Sequence, residues 1–269
     1  MTLTNTNQEP IDFEDVIHNG PFPIRFPKKN ILRQDEEWCE VQVEGNWKKI
    51  RFHDYSDVYK VPGLYETIFY RTLRCNSPTR VSSLLNEALI ENNISVDQLR
   101  VLDFGAGNGM AGEALQSLGI RKIVGVDLLE EAGNATLRDR PWVYDHYKVA
   151  DFTKLSAEEI RFFEEYKFNV LCTVAALGFG DIPAQAFYTA FNFISDGGLV
   201  VFNIRDEFLK RSKQSPFAKL IDQMIIGEVI EIDLYKRYQH RLNIAGMPLY
   251  YVAIVARKLK DIPSDFLKS

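Results

Sequence analysis

The chain has 269 residues, of which 46% are hydrophobic and 26% are charged. These values are ordinary for a globular protein, and a chain of this length can bury a sizeable core, so the composition excludes a wholly disordered protein. The net charge of -5 disfavours nucleic acid as a partner, because it provides no long-range positive field. The three cysteines are far apart and form no C-x-x-C pair, which indicates free thiols in a reducing cytoplasm.

The amino-terminal residues carry no membrane-targeting pattern. Residues 1–10 are polar, without a basic segment followed by an apolar one, so neither a signal peptide nor a membrane anchor is expected. The longest apolar runs elsewhere have the length of strands, which disfavours a membrane span. Prolines at positions 21, 23 and 27 disfavour helix over residues 11–35 and predict an extended arm.

A β-hairpin is predicted after the arm. Residues 37–43 and 47–52 alternate apolar and polar side chains on either side of Glu44-Gly45-Asn46. We interpret residues 1–51, the arm with its hairpin, as a packing appendage. The alternative is a wall or lid over a ligand pocket. Residues 52–269 are predicted to form the main domain.

Aromatic residues are frequent in the segment 52–76. Tyr65, Phe69 and Tyr70 recur at helical spacing, a pattern that is more often part of a core, although aromatic faces also suit a cationic group. Ser77-Pro78 is typical of a helix start, with Ser77 as the N-cap and proline at the first helical position. The apolar residues that follow predict an amphipathic helix to about Asn92.

The strongest motif is the stretch 101–109, in which an apolar strand runs into Asp103 and then three alternating glycines. Glycine lets a ligand approach the backbone, and a helix N-terminus offers unpaired N–H groups, so an anionic or hydroxyl-rich group is expected on this turn. A dinucleotide-binding loop places its third glycine one position later. A carboxylate at Asp103 would repel a pyrophosphate but attract an ammonium group. The motif therefore favours S-adenosylmethionine (SAM) as the ligand.

Acidic and basic side chains also end the later strands. Asp127 closes a strand about twenty residues past the glycines, where a ribose-binding acid belongs, and Leu128 and Leu129 would then flank the adenine. The continuous apolar run 168–176 predicts a central strand buried on both faces. Arg205 ends the strand 199–204, where it could bind an acceptor carboxylate or form a surface ion pair. Residues 228–238 and 249–257 predict a closing antiparallel hairpin.

The pattern D-x-G-x-G-x-G resembles motif I of the class I SAM-dependent methyltransferases, and residues 52–257 follow that family's order. Tyr55, Ser56 and Tyr59 are similar to the segment that folds over the cofactor in the small-molecule branch. G-D-I-P at 180–183 and the stretch 241–257 resemble the Williams-Beuren-region methyltransferase-like proteins. The resemblance implies an α/β, Rossmann-like fold: a seven-stranded, mostly parallel sheet with an antiparallel C-terminal hairpin, preceded by the arm and β-hairpin.

The resemblance also implies a set of cofactor contacts. Asp151 would accept a hydrogen bond from the adenine amino group, and the neighbouring Phe152 would stack. Segment 52–76 would act as a lid. The implied cofactor-binding residues are Tyr59, Asp103, Gly105, Ala106, Gly107, Gly109, Asp127, Leu128, Asp151, Phe152 and Val174.

We therefore predict a cytoplasmic SAM-dependent methyltransferase that methylates an O, N or S atom of a small molecule, without a nucleic-acid or membrane partner and without a metal. Tyr55, Tyr65 and Arg205 are candidate acceptor contacts. His53 is the candidate base for a hydroxyl acceptor, ahead of His146 and His240. The alternatives are an NAD(P)-type oxidoreductase and a non-catalytic SAM-binding protein. The sequence names neither the acceptor nor the oligomeric state.

Overall fold

The computed structural model describes residues 14–18, 20–28, 32–177, 179–209 and 216–268. The chain divides into two compact units. The amino-terminal unit comprises Met1–Arg74 and Leu242–Pro248, and the larger unit comprises Cys75–Arg241 and Leu249–Ser269. Residues 1–13 of the predicted arm lie outside the described residues, and the predicted boundary between residues 51 and 52 stays a prediction.

The amino-terminal unit contains the predicted hairpin. Its strands are β1 (Ile24–Arg25), β2 (Trp38–Val43) and β3 (Asn46–Arg51), and β2 pairs antiparallel with both neighbours. The β2–β3 hairpin is therefore confirmed, and the extended arm adds the short edge strand β1. Helix α1 (Tyr55–Lys60) and a π-helix (Glu66–Thr72) follow.

The larger unit alternates strands and helices until its last two strands. Its strands are β4 (Arg100–Phe104), β5 (Lys122–Asp127), β6 (His146–Val149), β7 (Val170–Thr173), β8 (Leu199–Arg205), β9 (Ile230–Leu242) and β10 (Pro248–Lys258). Its helices are α2 (Ser77–Glu91), α3 (Met110–Ser117), α4 (Glu130–Asp139), α5 (Ala157–Tyr166), α6 (Ala184–Asn192) and α7 (Pro216–Ile226).

These strands form one sheet of seven strands, counted over the described residues, in the order β6-β5-β4-β7-β8-β10-β9. The pairs from β6 to β8 are parallel, and β10 is antiparallel to β8. The predicted Rossmann-like sheet with antiparallel C-terminal strands is thus confirmed. The order reverses at β4 and β7, and in open α/β sheets ligands bind at the carboxyl ends of the strands at such a switch point.

Both faces of the sheet are covered by apolar side chains. All four residues of β7 are buried, as the continuous apolar run predicts. On one face Leu102 and Leu171 belong to a core rich in phenylalanine, and on the other Val101 and Cys172 pack with the apolar side of α2. No helix in the described part of the chain is long and apolar enough to span a membrane.

Helix α2 begins as predicted, but its cap differs. The N-cap position is held by Asn76, and Ser77 is already helical. The predicted N-cap role of Ser77 is wrong because its fully buried hydroxyl bonds to side chains of other elements instead of to the helix backbone.

Candidate functional site

The glycine loop joins β4 to α3 at the carboxyl edge of the sheet. Gly105, Gly107 and Gly109 all have positive φ, at 79°, 54° and 87°. A Cβ at Gly105 would also lie 3.0 Å from the Cβ of Ala176. The alternating glycines are therefore required by the backbone conformation, and at Gly105 also by the space available.

The amides of this loop are used inside the protein. The N–H groups of Gly105 and Ala106 both donate to the Val126 carbonyl at 2.9 Å, and Gly109 N–H donates to the Ala106 carbonyl at 3.0 Å. Gly107 N–H donates to Asp127 Oδ2 at 2.9 Å. The expectation that this turn presents unpaired N–H groups is wrong for these four amides, because side-chain and backbone oxygens of β5 and of the loop satisfy them.

Hydroxyl groups hold the loop from the other side. The Gly107 carbonyl accepts hydrogen bonds from Thr136 Oγ1 at 2.9 Å and from the Tyr147 hydroxyl at 2.7 Å. With its N–H bonded to Asp127, Gly107 is anchored by α4, β5 and β6 at once. The conformation of the loop is therefore held by hydrogen bonds within the protein.

Asp103 lies beneath this loop and is fully buried. Its Oδ2 accepts a hydrogen bond from the Tyr144 hydroxyl at 2.6 Å, whereas its Oδ1 has no hydrogen-bond partner among the described residues. Burial raises the pKa of Asp103 to about 7, against the Tyr144 hydrogen bond, which lowers the pKa, and with a smaller rise from Asp127. A buried carboxylate with one unbonded oxygen is suited to receive a cation.

Asp127 ends β5 beside the loop and is half-buried. Its Oδ1 accepts the Leu129 N–H at 3.0 Å, and its Oδ2 accepts the Gly107 N–H. Burial raises its pKa, while the hydrogen bonds from the backbone lower it. Each carboxylate oxygen has two lone pairs, so both can still accept from ligand hydroxyls. The next side chain, Leu128, is 61% exposed and offers an apolar surface at the same edge.

The predicted cofactor residues that follow β6 and β7 contact other parts of the protein. The Asp151 carboxylate accepts from the N–H and the hydroxyl of Thr153, at 3.0 and 2.6 Å, and these bonds lower its pKa. The Phe152 ring is 3% exposed and packs on Phe104 in the core. Val174 follows β7 and is half-buried. Their roles toward an adenine stay predictions.

A second polar cluster joins α2, β8 and β9. Asn203 accepts the Ala175 N–H at 2.6 Å and donates to the Tyr238 hydroxyl at 2.6 Å and to Ser77 Oγ at 3.2 Å. Ser77 also bonds to His240 Nδ1 at 2.6 Å. Burial, and then Arg241, holds the pKa of His240 well below its usual range, so this ring is neutral. Because Ala175 has a φ of 57°, the cluster stabilises a strained backbone just after β7.

Two of the remaining candidates, Arg205 and His146, lie in the larger unit and contact residues outside the glycine loop. Arg205 forms an ion pair with Glu207 at 2.8 Å. His146 is exposed at the start of β6, its ring against Phe162. His53, Tyr55, Tyr59 and Tyr65 lie in the amino-terminal unit, where neighbouring rings in this series are 5.1 to 6.2 Å apart. Their roles toward cofactor and acceptor stay predictions.

Tyr144 is the residue of this site that sequence reasoning missed. Its signal lay in two glycines that no turn requires, Gly112 inside α3 and Gly125 inside β5. A glycine within a helix or a strand often marks the close approach of another group. The Tyr144 ring makes this approach at both glycines: it would lie 2.6 Å from a Cβ at Gly112, where Val143 would also lie at 2.5 Å, and 2.9 Å from one at Gly125.

Among the described residues, no group of three or more His, Cys, Asp or Glu side chains is placed to hold a metal ion.

Comparison with known proteins adds a family. The family described as "Methyltransferase domain" matches residues 73–241. No curated protein matches the sequence.

Solved structures of methyltransferases resemble this chain at low sequence identity. A candidate RNA methyltransferase from Pyrococcus horikoshii is 14% identical with a TM-score of 0.50, over 69% of this chain and 87% of that chain. A SAM-dependent methyltransferase from Anabaena variabilis is 13% identical with a TM-score of 0.47, over 68% and 86% of the two chains. Magnesium protoporphyrin IX methyltransferase from Synechocystis, with bound SAM, is 12% identical with a TM-score of 0.46, over 67% and 79%.

Proposed function

The chain belongs to the methyltransferase domain family and is a SAM-dependent methyltransferase, and we propose that its methyl acceptor is a small molecule with an O, N or S nucleophile. The observation that carries the choice of cofactor is the hydrogen bonding of the glycine loop. Amides at positions 105, 106, 107 and 109 already donate within the protein, so they do not form a cradle for a pyrophosphate. The buried Asp103 carboxylate beneath them suits an ammonium group instead.

The residues at the carboxyl edge match the chemical groups of SAM. We propose that Asp103 faces the ammonium, that Asp127 accepts hydrogen bonds from the ribose hydroxyls, and that the exposed Leu128 covers one face of the adenine. Leu128 and the two carboxylates would orient the cofactor and exclude water. Bound SAM supplies an electrophilic methyl group for attack by the acceptor. Positioning would then account for most of the rate enhancement.

The acceptor class rests on charge and on the loop after β7. The net charge of -5 is unfavourable for collecting a polyanion, and the loop has neither the Pro-Cys nor the Asn/Asp-Pro-Pro-Tyr/Phe sequence of DNA-base methyltransferases. An acceptor with an uncharged nitrogen or a thiolate would need no base. For a hydroxyl acceptor His53 stays the proposed base.

The cofactor site is tested by calorimetric titration of SAM and S-adenosylhomocysteine (SAH). We expect Asp127→Ala to weaken binding by at least about tenfold, about 1.4 kcal/mol, because it removes the proposed ribose partner. The matched control is Asp97→Ala, which removes an exposed carboxylate just before the amino-terminal end of β4 and should bind as wild type. Folding of each variant is verified by thermal unfolding. A folded wild-type protein that binds neither compound would contradict the site.

The acceptor class is tested by measuring SAH release with panels of small hydroxyl, amine and thiol compounds, with total RNA and with protein. We expect turnover with a member of the small-molecule panels. Turnover confined to RNA or protein would contradict the proposed acceptor class and leave the cofactor site intact.

A further inference from the structure

We infer that Tyr144 is a positioning residue for the cofactor site: its hydroxyl engages one oxygen of the Asp103 carboxylate and leaves the other oxygen to face the cofactor ammonium. This inference rests on the proposed function, because it assigns Asp103 to the ammonium. It adds a residue outside the motif, 41 positions away along the chain, to the cofactor site.

The first observation is how the ring is held. It lies between α3 and β5, where a Cβ at Gly112 would be 2.6 Å from its Cε1 atom and a Cβ at Gly125 would be 2.9 Å from its Cζ atom. Contacts of that length do not occur between real side chains, so both glycines are needed to admit the ring. The ring of Tyr147 packs edge-on against it at 5.5 Å. Tyr144 therefore has little freedom to move its hydroxyl.

The second observation is the state of the carboxylate. Asp103 is fully buried, its Oδ2 accepts the Tyr144 hydroxyl at 2.6 Å, and its Oδ1 accepts no hydrogen bond from the part of the chain that the structure describes. A buried carboxylate is stable only if it is paired with charge or well hydrogen-bonded. The short hydrogen bond from Tyr144 satisfies one of the two carboxylate oxygens. Because no described residue pairs with Oδ1, this oxygen points to a bound cationic partner.

The third observation is the set of groups that face Asp103. Asp127 on β5 raises the pKa of Asp103, and the Tyr144 hydrogen bond lowers it. The Cys172 thiol on β7 has a pKa raised well above its usual value by burial, and burial also raises the pKa of Tyr147 on β6, so both are neutral. Tyr144 is then the facing group that favours the ionised carboxylate. Without its hydroxyl, Asp103 would hold its proton to higher pH.

The test is Tyr144→Phe in the full chain, which keeps the ring and its packing on both glycines. SAH affinity is measured by calorimetry from pH 6 to pH 9. At pH 7 we expect the affinity to fall by about fivefold, and the pH at which binding reaches half its maximal affinity to rise by about one unit, because the neutral acid attracts no cation. Near pH 9 the two proteins should agree within about threefold.

The matched control is Tyr147→Phe. It removes the same type of hydroxyl from the same strand region, but that hydroxyl donates to the Gly107 carbonyl and not to a carboxylate. Its affinity can fall, yet the pH dependence of binding should stay that of wild type. A Tyr144→Phe protein that is weaker by one factor at every pH, like this control, would overturn the inference in favour of a merely structural role.

A second variant tests the route through Asp103. Asp103→Asn should abolish the pH dependence of SAH binding, and adding Tyr144→Phe to it should change the affinity by less than about twofold, because the two residues act as one unit. A large further loss in the double variant would overturn the inference, and so would Tyr144→Phe binding SAH as wild type at every pH. Absence of SAH binding by wild type would instead count against the proposed function.

Discussion

Ionisation of the buried Asp103 carboxylate destabilises the folded protein. Its pKa of about 7 in the folded chain lies above the 3.8 of an exposed aspartate, because the buried carboxylate is poorly solvated. The folded state therefore holds the proton more tightly than the unfolded state. Stability from this group is fully present below about pH 4 and is lost as the pH rises through about 7.

This linkage predicts the behaviour of Asp103→Asn in the absence of ligand. Between pH 5 and pH 8 the free energy of unfolding of wild type should fall by about 2–3 kcal/mol more than that of the variant, since the amide does not ionise. Urea unfolding at a series of pH values measures the difference. Parallel curves for the two proteins would show that the carboxylate is not buried as described. The same variant should bind SAM more weakly, a conflict between stability and function that is common at binding sites.

At this scale the sequence predicts the motif but not its environment. The spacing of Asp103 and the three glycines is local, so it can be read from a short stretch. The contact with Tyr144 spans 41 residues and depends on how α3 and β5 pack, which no local pattern encodes. Only the two unexplained glycines hinted at it.

Among the elements, α2, β8 and β9 are joined by the polar cluster around Ser77 and Asn203. Ser77→Ala should lower the free energy of unfolding by about 2–3 kcal/mol, because it leaves His240 Nδ1 and the Tyr238 hydroxyl without this buried partner. Ser83→Ala is the matched control on the same helix. Its exposed hydroxyl bonds only to the Thr79 carbonyl, and its loss should cost less than about 0.5 kcal/mol.

Denaturant unfolding of both serine variants checks the prediction. Equal effects would mean that the cluster does not stabilise the protein. The contacts of Ser77 also explain why the start of α2 is predicted correctly from the sequence and its N-cap is not. Serine before proline is a strong local signal, but the buried partners of this hydroxyl come from strands more than 100 residues later.

Over the whole molecule, the sheet was the most predictable feature. Strands with apolar runs alternate with amphipathic helices, and only a right-handed crossover packs such units on both faces of a parallel sheet. The sequence could not show the two-residue strand β1, because its pairing with β2 depends on distant backbone atoms and not on its own pattern.

The hydrogen bonding of the glycine loop also leads to a prediction for the unfolding temperature with each ligand. SAH at about one hundred times its dissociation constant should stabilise the folded chain by about 2.7 kcal/mol and raise its unfolding temperature by roughly 5–10 °C. NADH at the same concentration should leave that temperature unchanged, since the amides of residues 105, 106, 107 and 109 already donate within the protein and are not available to its pyrophosphate. A differential scanning experiment with both ligands measures this. A larger shift with NADH would reverse the choice of cofactor.

The close packing of Tyr144 on Gly112 and Gly125 also constrains how this sequence can change over evolutionary time. A side chain at either glycine would collide with the ring, so neither position can accept a larger residue while the tyrosine is present. Once a smaller residue replaces Tyr144, alanine or serine becomes admissible at position 125, whereas a Cβ at position 112 would still lie 2.5 Å from Cγ1 of Val143. Positions 125 and 144 should therefore covary among homologues, and a residue other than glycine at 125 identifies a relative that has lost the tyrosine.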